Sequence, residues 1–209
     1  MRATRASLVV TILLLIVGGA VASRFPIGDG KPGALTSATR GIAREPLNAA
    51  TLPVPLSWPH ILVKKAERKL FLYSDDKVVR TYRVGLGLSP VGDKVRQGDR
   101  RTPEGDFYIF TKNDKSAFYL SLGISYPNAA HAQRGLQANL ITQSQYETII
   151  QALSLHRTPP QNTKLGGDIY IHGNGSRSDW TWGCVALEDG DIRELFGAVT
   201  VGTPVTIKP

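Results

Sequence analysis

The sequence predicts a mainly β domain of α+β type, a sandwich or partly closed barrel with one or two helices. Three observations lead there. Short runs rich in β-branched and aromatic residues recur from about Leu56 onward. Turn and loop residues separate these runs. Only two segments carry both a helical period and a start signal.

In chain order the expected strands are HILVKK (60–65), KLFLYS (69–74), KVVRTYRVGLG (77–87), DFYIFTK (106–112), AFYLSL (117–122), DIYIHG (168–173), CVAL (184–187) and PVTIKP (204–209). Asp75-Asp76 separates the second from the third as a hairpin turn would. Gly98–Gly105 and Pro159–Gly167 read as loops. Thr142 can cap QSQYETIIQALSLH, with Gln145 three residues on completing a capping box. Asp189 or Asp191 can start the second helix at DIRELF.

Ahead of this domain the texture differs. Arg2 and Arg5 precede an apolar run from Leu8 to Ala22. The run is shorter than the ~20 residues a helix needs to cross a bilayer. It fits a secretory signal cut after Ala22, with an uncut membrane anchor as the other reading. Residues 23–55 hold five prolines and four glycines without a lasting period, so they read as a linker. Residues 56–209 are then the folded part. Export places it outside the cytoplasm, and in the periplasm or cell envelope if the source is a bacterium.

The chain has 25 Lys and Arg against 17 Asp and Glu, a formal charge of +8. That excess suits anionic surroundings such as wall polymer. Export and the absence of a dense basic run argue against nucleic acid. Contact with a membrane is expected only through an uncut N-terminal segment. His60, His131 and His156 show no metal-binding spacing, so neither metal nor cofactor is expected.

The chain has a single cysteine, so no intramolecular disulfide can form. A lone cysteine in an exported chain is either a small buried apolar group or a used thiol. Cys184 follows Gly183 in TWGCVAL, and His172 ends an apolar strand twelve residues upstream. If the joining loop folds back, imidazole and thiol can meet as base and nucleophile. The alternative for His172 is a histidine hydrogen-bonded at a strand end.

These residues resemble a known family. Ile171-His172-Gly173 followed by Thr181-x-Gly183-Cys184-Val185 is similar to the signature of L,D-transpeptidases with a YkuD-type catalytic domain. Arg101-Thr102-Pro103-Glu104-Gly105-Asp106-Phe107-Tyr108 resembles the family's R-x-T-P-x-G-x-[FY] block. Gly85-Leu86-Gly87 and Gly202-Thr203-Pro204-Val205 resemble its flanking strands, and the likeness spans about Ile61 to Lys208.

The resemblance implies the fold of that catalytic domain and a reaction on peptidoglycan stem peptides in cell wall biogenesis. A cysteine thiolate attacks the carbonyl before a terminal D-alanine, and D-alanine leaves a thioester behind. An amine then takes the acyl group, from a second stem in a 3–3 cross-link or from a wall-attached protein. Cys184 corresponds to the nucleophile and His172 to the general base. The Gly183 main chain corresponds to the oxyanion hole, together with that of Cys184, and the Gly173 carbonyl to the group that orients His172. The family usually has His where Trp182 stands and often Arg where Ala186 stands. Arg177, Trp182, Tyr126 and Asn128 are the substrate contacts this implies, the other readings being a solvated loop arginine for Arg177 and core packing for Tyr126. Asp179 is a loop acid with no required role. Two alternatives remain: an L,D-carboxypeptidase or endopeptidase on the same scaffold, with water as acceptor, and a non-catalytic wall-binding module.

Overall fold

A computed structural model describes residues 51–209; the expected signal and most of the linker lie outside the described residues. Eight strands and three helices follow in the order β1 (His60–Lys64), β2 (Lys69–Ser74), β3 (Lys77–Arg83), β4 (Gly105–Ser116), β5 (Tyr119–Ile124), α1 (Ala129–Gln137), α2 (Gln143–Ser154), β6 (Tyr170–His172), β7 (Val185–Ala186), α3 (Asp189–Ala198) and β8 (Pro204–Lys208). The strands form one sheet in the order β3-β2-β1-β8-β4-β5-β6-β7.

Alternation builds the first half. Leu70 and Leu72 of β2, Ile61 and Val63 of β1, and Val205 and Ile207 of β8 are buried in one core. Their polar neighbours face outward, as a two-residue side-chain period requires. β1 pairs antiparallel with β2 and parallel with β8. β8 also pairs antiparallel with β4.

The sheet curls until its edges meet. Beyond β3, Gly85 makes an antiparallel bridge to Ala186 of β7, and Gly87 makes a parallel bridge to Thr181. The sheet is therefore a half-barrel, the partly closed form of the two shapes the sequence allows. Both glycines are required by close approach. A Cβ at Gly85 would lie 2.3 Å from the Ser178 carbonyl oxygen, and one at Gly87 2.2 Å from that of Arg100.

Helix α3 adds Ile192 and Leu195 to the main core. Its Glu194 is gripped by Arg80 through Nε at 2.9 and 3.0 Å and Nη2 at 2.9 Å, while the Tyr82 hydroxyl donates at 2.7 Å. Helices α1 and α2 enclose a second, smaller core of Ala132, Ile141, Ile149 and Leu165. The capping box of α2 is present: Gln145 N–H donates to Thr142 Oγ1, and Thr142 N–H to Gln145 Oε1.

Two readings change. Three helices are present, where one or two were expected. Helix α1, AAHAQRGLQ, is short, contains Gly135 and buries only His131, Ala132 and Gly135, so it carries almost no apolar stripe. Packing also reaches back beyond Leu56, because Leu52 joins the main core. Among the described residues, no helix is long and apolar enough to cross a membrane.

Candidate active site

Strands β6 and β7 run parallel, with Ile171 opposite Val185 and His172 opposite Ala186. That register brings His172 and Cys184, which directly precedes β7, to one end of the sheet. Both line a cavity of about 310 Å³. Tyr170, Asp168 and Ser121 form part of its wall, and residues 113 and 115–118 of the β4–β5 hairpin form another part.

The turn before the cysteine is clamped from several sides. Thr181 Oγ1 donates to the Cys184 carbonyl at 2.8 Å and accepts the Gly183 N–H at 3.1 Å. Thr102 Oγ1 accepts the Gly87 N–H at 3.0 Å and donates more weakly to the same Cys184 carbonyl at 3.4 Å. Gly183 has φ +133°, and a Cβ there would stand 2.8 Å from the Arg101 carbonyl oxygen. Only glycine fits that position without strain.

Lys65, almost fully buried, holds the loop before β4. Its Nζ donates to Glu104 at 2.7 Å, to the Gly92 carbonyl at 2.6 Å and to the Thr102 carbonyl at 3.0 Å.

The imidazole of His172 is 2% exposed. Its Nδ1 lies 2.7 Å from the Gly173 carbonyl oxygen. A carbonyl only accepts, so Nδ1 carries the proton and Nε2 keeps its lone pair. Nε2 has no protein partner, yet no buried side-chain nitrogen or oxygen among the described residues is unsatisfied. Nε2 is therefore the ring atom that opens on the cavity. Phe118 tilts over the ring at 4.6 Å and Trp180 stands edge-on at 5.5 Å between centroids.

The thiol of Cys184 accepts the Tyr170 N–H at 3.4 Å and donates to the Asp168 carbonyl at 3.5 Å. Burial pushes it up to about 11, against smaller opposing pulls from the Tyr170 N–H and Lys94. Burial also holds His172 below its ordinary value, partly offset by its bond to the Gly173 carbonyl. Burial thus favours the uncharged form of both groups.

The other expected residues fall elsewhere. The Gly183 N–H is committed to Thr181 Oγ1. It does not point free into the cavity as an oxyanion donor would, and this corrects that reading. The Cys184 N–H, by contrast, has no protein acceptor among the described residues. Tyr126 is fully buried, and its hydroxyl donates to the Leu165 carbonyl at 3.0 Å. No substrate can reach it, which corrects its reading as a contact.

Asn128 caps α1 by accepting the His131 N–H, and it lines a different cavity, beside Asp106 and Tyr108. Arg177 lines a cavity of about 600 Å³ with Trp180, Glu188 and Asp189. Trp182 is 66% exposed. Asp179 is structural: Arg68 grips both its oxygens, and Oδ1 accepts the Leu86 N–H at 2.9 Å.

Sequence reasoning missed the rings around His172. Phe118 lies more than fifty residues upstream, at a hairpin tip with no distinguishing pattern. Thr102 was visible as part of the Arg101–Tyr108 block, though its contact with the cysteine turn was not.

A thiol and an imidazole, the latter with one tautomer fixed, thus share a cavity at the end of a half-barrel sheet. The model of the YkuD family, L,D-transpeptidase catalytic domain, matches residues 59–207, and the chain belongs to that family. The family's chemistry is directed at peptidoglycan. YafK of Escherichia coli K12, provisionally named an L,D-transpeptidase, is 28% identical over 156 residues, which is 69% of this chain and 50% of YafK. The chain thus spans about half the length of the curated relatives it matches.

Among solved structures, a variant of the helical cell shape determining protein Pgp2 from Campylobacter jejuni aligns with TM-score 0.49 and 23% identity, over 73% of this chain and 47% of that one. Bd1075 of Bdellovibrio bacteriovorus aligns with TM-score 0.48 and 20% identity, over 73% of this chain and 48% of that one.

Proposed function

We propose that the chain is a cysteine-dependent L,D-transpeptidase acting on peptidoglycan stem peptides, with Cys184 as nucleophile and His172 as general base. The observation that carries this is the cavity shared by the two side chains, with Nδ1 of His172 tied to the Gly173 carbonyl and Nε2 left open.

In this reading the thiol is neutral at rest. The stem peptide enters between the hairpin and β6. The Cys184 side chain turns from Asp168 toward Nε2, which takes the thiol proton as sulfur attacks the carbonyl before D-alanine. The Cys184 N–H faces the developing oxyanion. His172 then returns the proton to the departing D-alanine nitrogen, leaving a thioester on Cys184. An incoming amine gives its proton to Nε2 and takes the acyl group, restoring the thiol.

Residues 1–22 serve as export signal or anchor and the Pro/Gly-rich stretch ahead of Leu52 as tether, which puts the reaction in the cell envelope. The support is the arginine-flanked apolar run and the Pro/Gly composition after it.

The test is to incubate the protein and its Cys184→Ala form with purified tetrapeptide muropeptides and read products by mass. Cysteine-dependent dimers lacking one D-alanine are expected. Cysteine-dependent tripeptides alone would replace the reading with a hydrolase. Unchanged substrate from a folded protein that still binds peptidoglycan would replace it with a binding module.

A further inference from the structure

Trp182 stands two residues before Cys184 and is left in water. It is 66% exposed, and large exposed apolar groups beside a site mark recognition surfaces. The guanidinium of Arg100 lies over one indole face, 4.8 Å from the ring centroid. Leu88, 47% exposed, joins the same turn by donating its N–H to the Thr181 carbonyl at 3.0 Å. One face of the indole is thus covered by a cation, and the opposite face is open. Trp182 is also not part of the wall of the Cys184 cavity.

The geometry limits what the open face can meet. Consecutive Cα atoms are about 3.8 Å apart, so the backbones of Trp182 and Cys184 are at most ~7.6 Å apart. An extended peptide spans roughly 3.3–3.6 Å per residue. With the carbonyl of the third stem residue at Sγ, the first residue lies roughly 7–11 Å away and the sugar bearing it lies beyond. An indole extending from a backbone at most ~7.6 Å from that of Cys184 can reach into that range.

We propose that Trp182, with Arg100 stacked on it, is a platform for the sugar to which the stem peptide is attached. This rests on the reading of Cys184 as the nucleophile toward stem peptides. A pyranose of the glycan strand lies on the open indole face. The C–H groups on one side of such a ring carry partial positive charge and meet the negative π face. The guanidinium stacked on the opposite face holds the indole in place for the sugar. Trp182 therefore selects substrate that is still on its glycan over free peptide.

The test compares kcat/KM for D-alanine release from a disaccharide tetrapeptide and from the same tetrapeptide without sugar, using the full chain. The wild-type ratio is expected to favour the disaccharide by about tenfold, the scale of one stacking contact. Trp182→Ala should bring the ratio to about one. Trp182→Phe should keep most of it, and Arg100→Ala should fall between. In a second measurement, a peptide-free glycan oligosaccharide is titrated into Cys184→Ala protein by NMR. Binding is expected there and lost when Trp182→Ala is added.

A wild-type ratio of one, or a ratio that Trp182→Ala leaves unchanged, overturns the proposal. So does Trp182-dependent capture by anionic phospholipid vesicles without oligosaccharide binding, which would make the platform a lipid contact. If no cysteine-dependent D-alanine release occurs but the oligosaccharide still binds through Trp182, the catalytic reading fails and the platform stands.

Discussion

The two ends of the sheet are held together differently. Strands β1, β2, β3 and β8 pair over four to six residues, and their inward side chains fill one apolar core. At the other end β6 has three residues and β7 two. So short a ladder cannot fix the cysteine turn by itself. Thr181, Thr102, Gly85, Gly87 and the buried Lys65 fix it from outside the ladder. Stability is concentrated in the first region and reactive geometry in the second, so substitutions should separate the two.

The largest effect is expected at the pair itself. Cys184→Ala and His172→Ala should each lower turnover by at least about a thousandfold, as loss of a nucleophile or its base does elsewhere. Melting temperature should hardly move. Turnover near wild type in either variant would remove the thiol mechanism.

The next prediction concerns charge. A thiol pushed up to about 11 is almost wholly protonated at pH 7. Alkylation of Cys184 by iodoacetamide at pH 7 should be about 300-fold slower than that of a free cysteine, whose pKa is ~8.5, in proportion to the thiolate present. The rate should rise steadily with pH toward 11. A plateau already reached at pH 7 would mean a resting thiolate–imidazolium pair instead. His172, held below its ordinary value, should stay neutral to a pH below ~6.5. An NMR titration of its ring that showed charging above that pH would contradict this.

Leu72→Ala, in the fully buried ladder core, should cost about 2–5 kcal/mol of stability. Turnover per folded molecule should remain within about twofold. A large loss of turnover at full folding would mean that the two regions are coupled.

Thr102→Val should show the opposite pattern. It removes bonds to Gly87 and to the Cys184 carbonyl, worth about 0.5–1.5 kcal/mol each at most. Turnover should nevertheless fall about tenfold, because small misplacements of a reacting group are costly. Equal losses in both measures would erase the distinction.

The smallest change is expected for Thr142→Ala, which removes the α2 cap. It should cost about 1 kcal/mol and leave turnover alone. Thermal unfolding and a D-alanine release assay measure both quantities.

The strands and the α2 cap were legible because each is a local pattern: alternation, a turn pair, or a Thr with Gln three residues later; the choice of half-barrel over sandwich was not, because it rests on the distant bridges of Gly85 and Gly87. That His172 and Cys184 would come to one cavity was legible through motif order. Helix α1 was not, because its burial is supplied by Leu165 and the α2 face rather than by its own stripe. The Gly183 correction has a similar origin. A main-chain N–H can be assigned from a motif, but whether a neighbouring hydroxyl has claimed it depends on a side-chain rotamer. Tyr126 failed as a contact because it lies in a strand extension covered on all sides, which residue type alone does not reveal.

The position of β8 has a consequence for how the domain is assembled. It lies between β1 and β4, and it is the last strand in chain order. Until residues 204–208 arrive, β1–β2–β3 and β4–β5 are separate ribbons with no continuous ladder between them. A polypeptide emerging from its N-terminal end therefore cannot close this domain early.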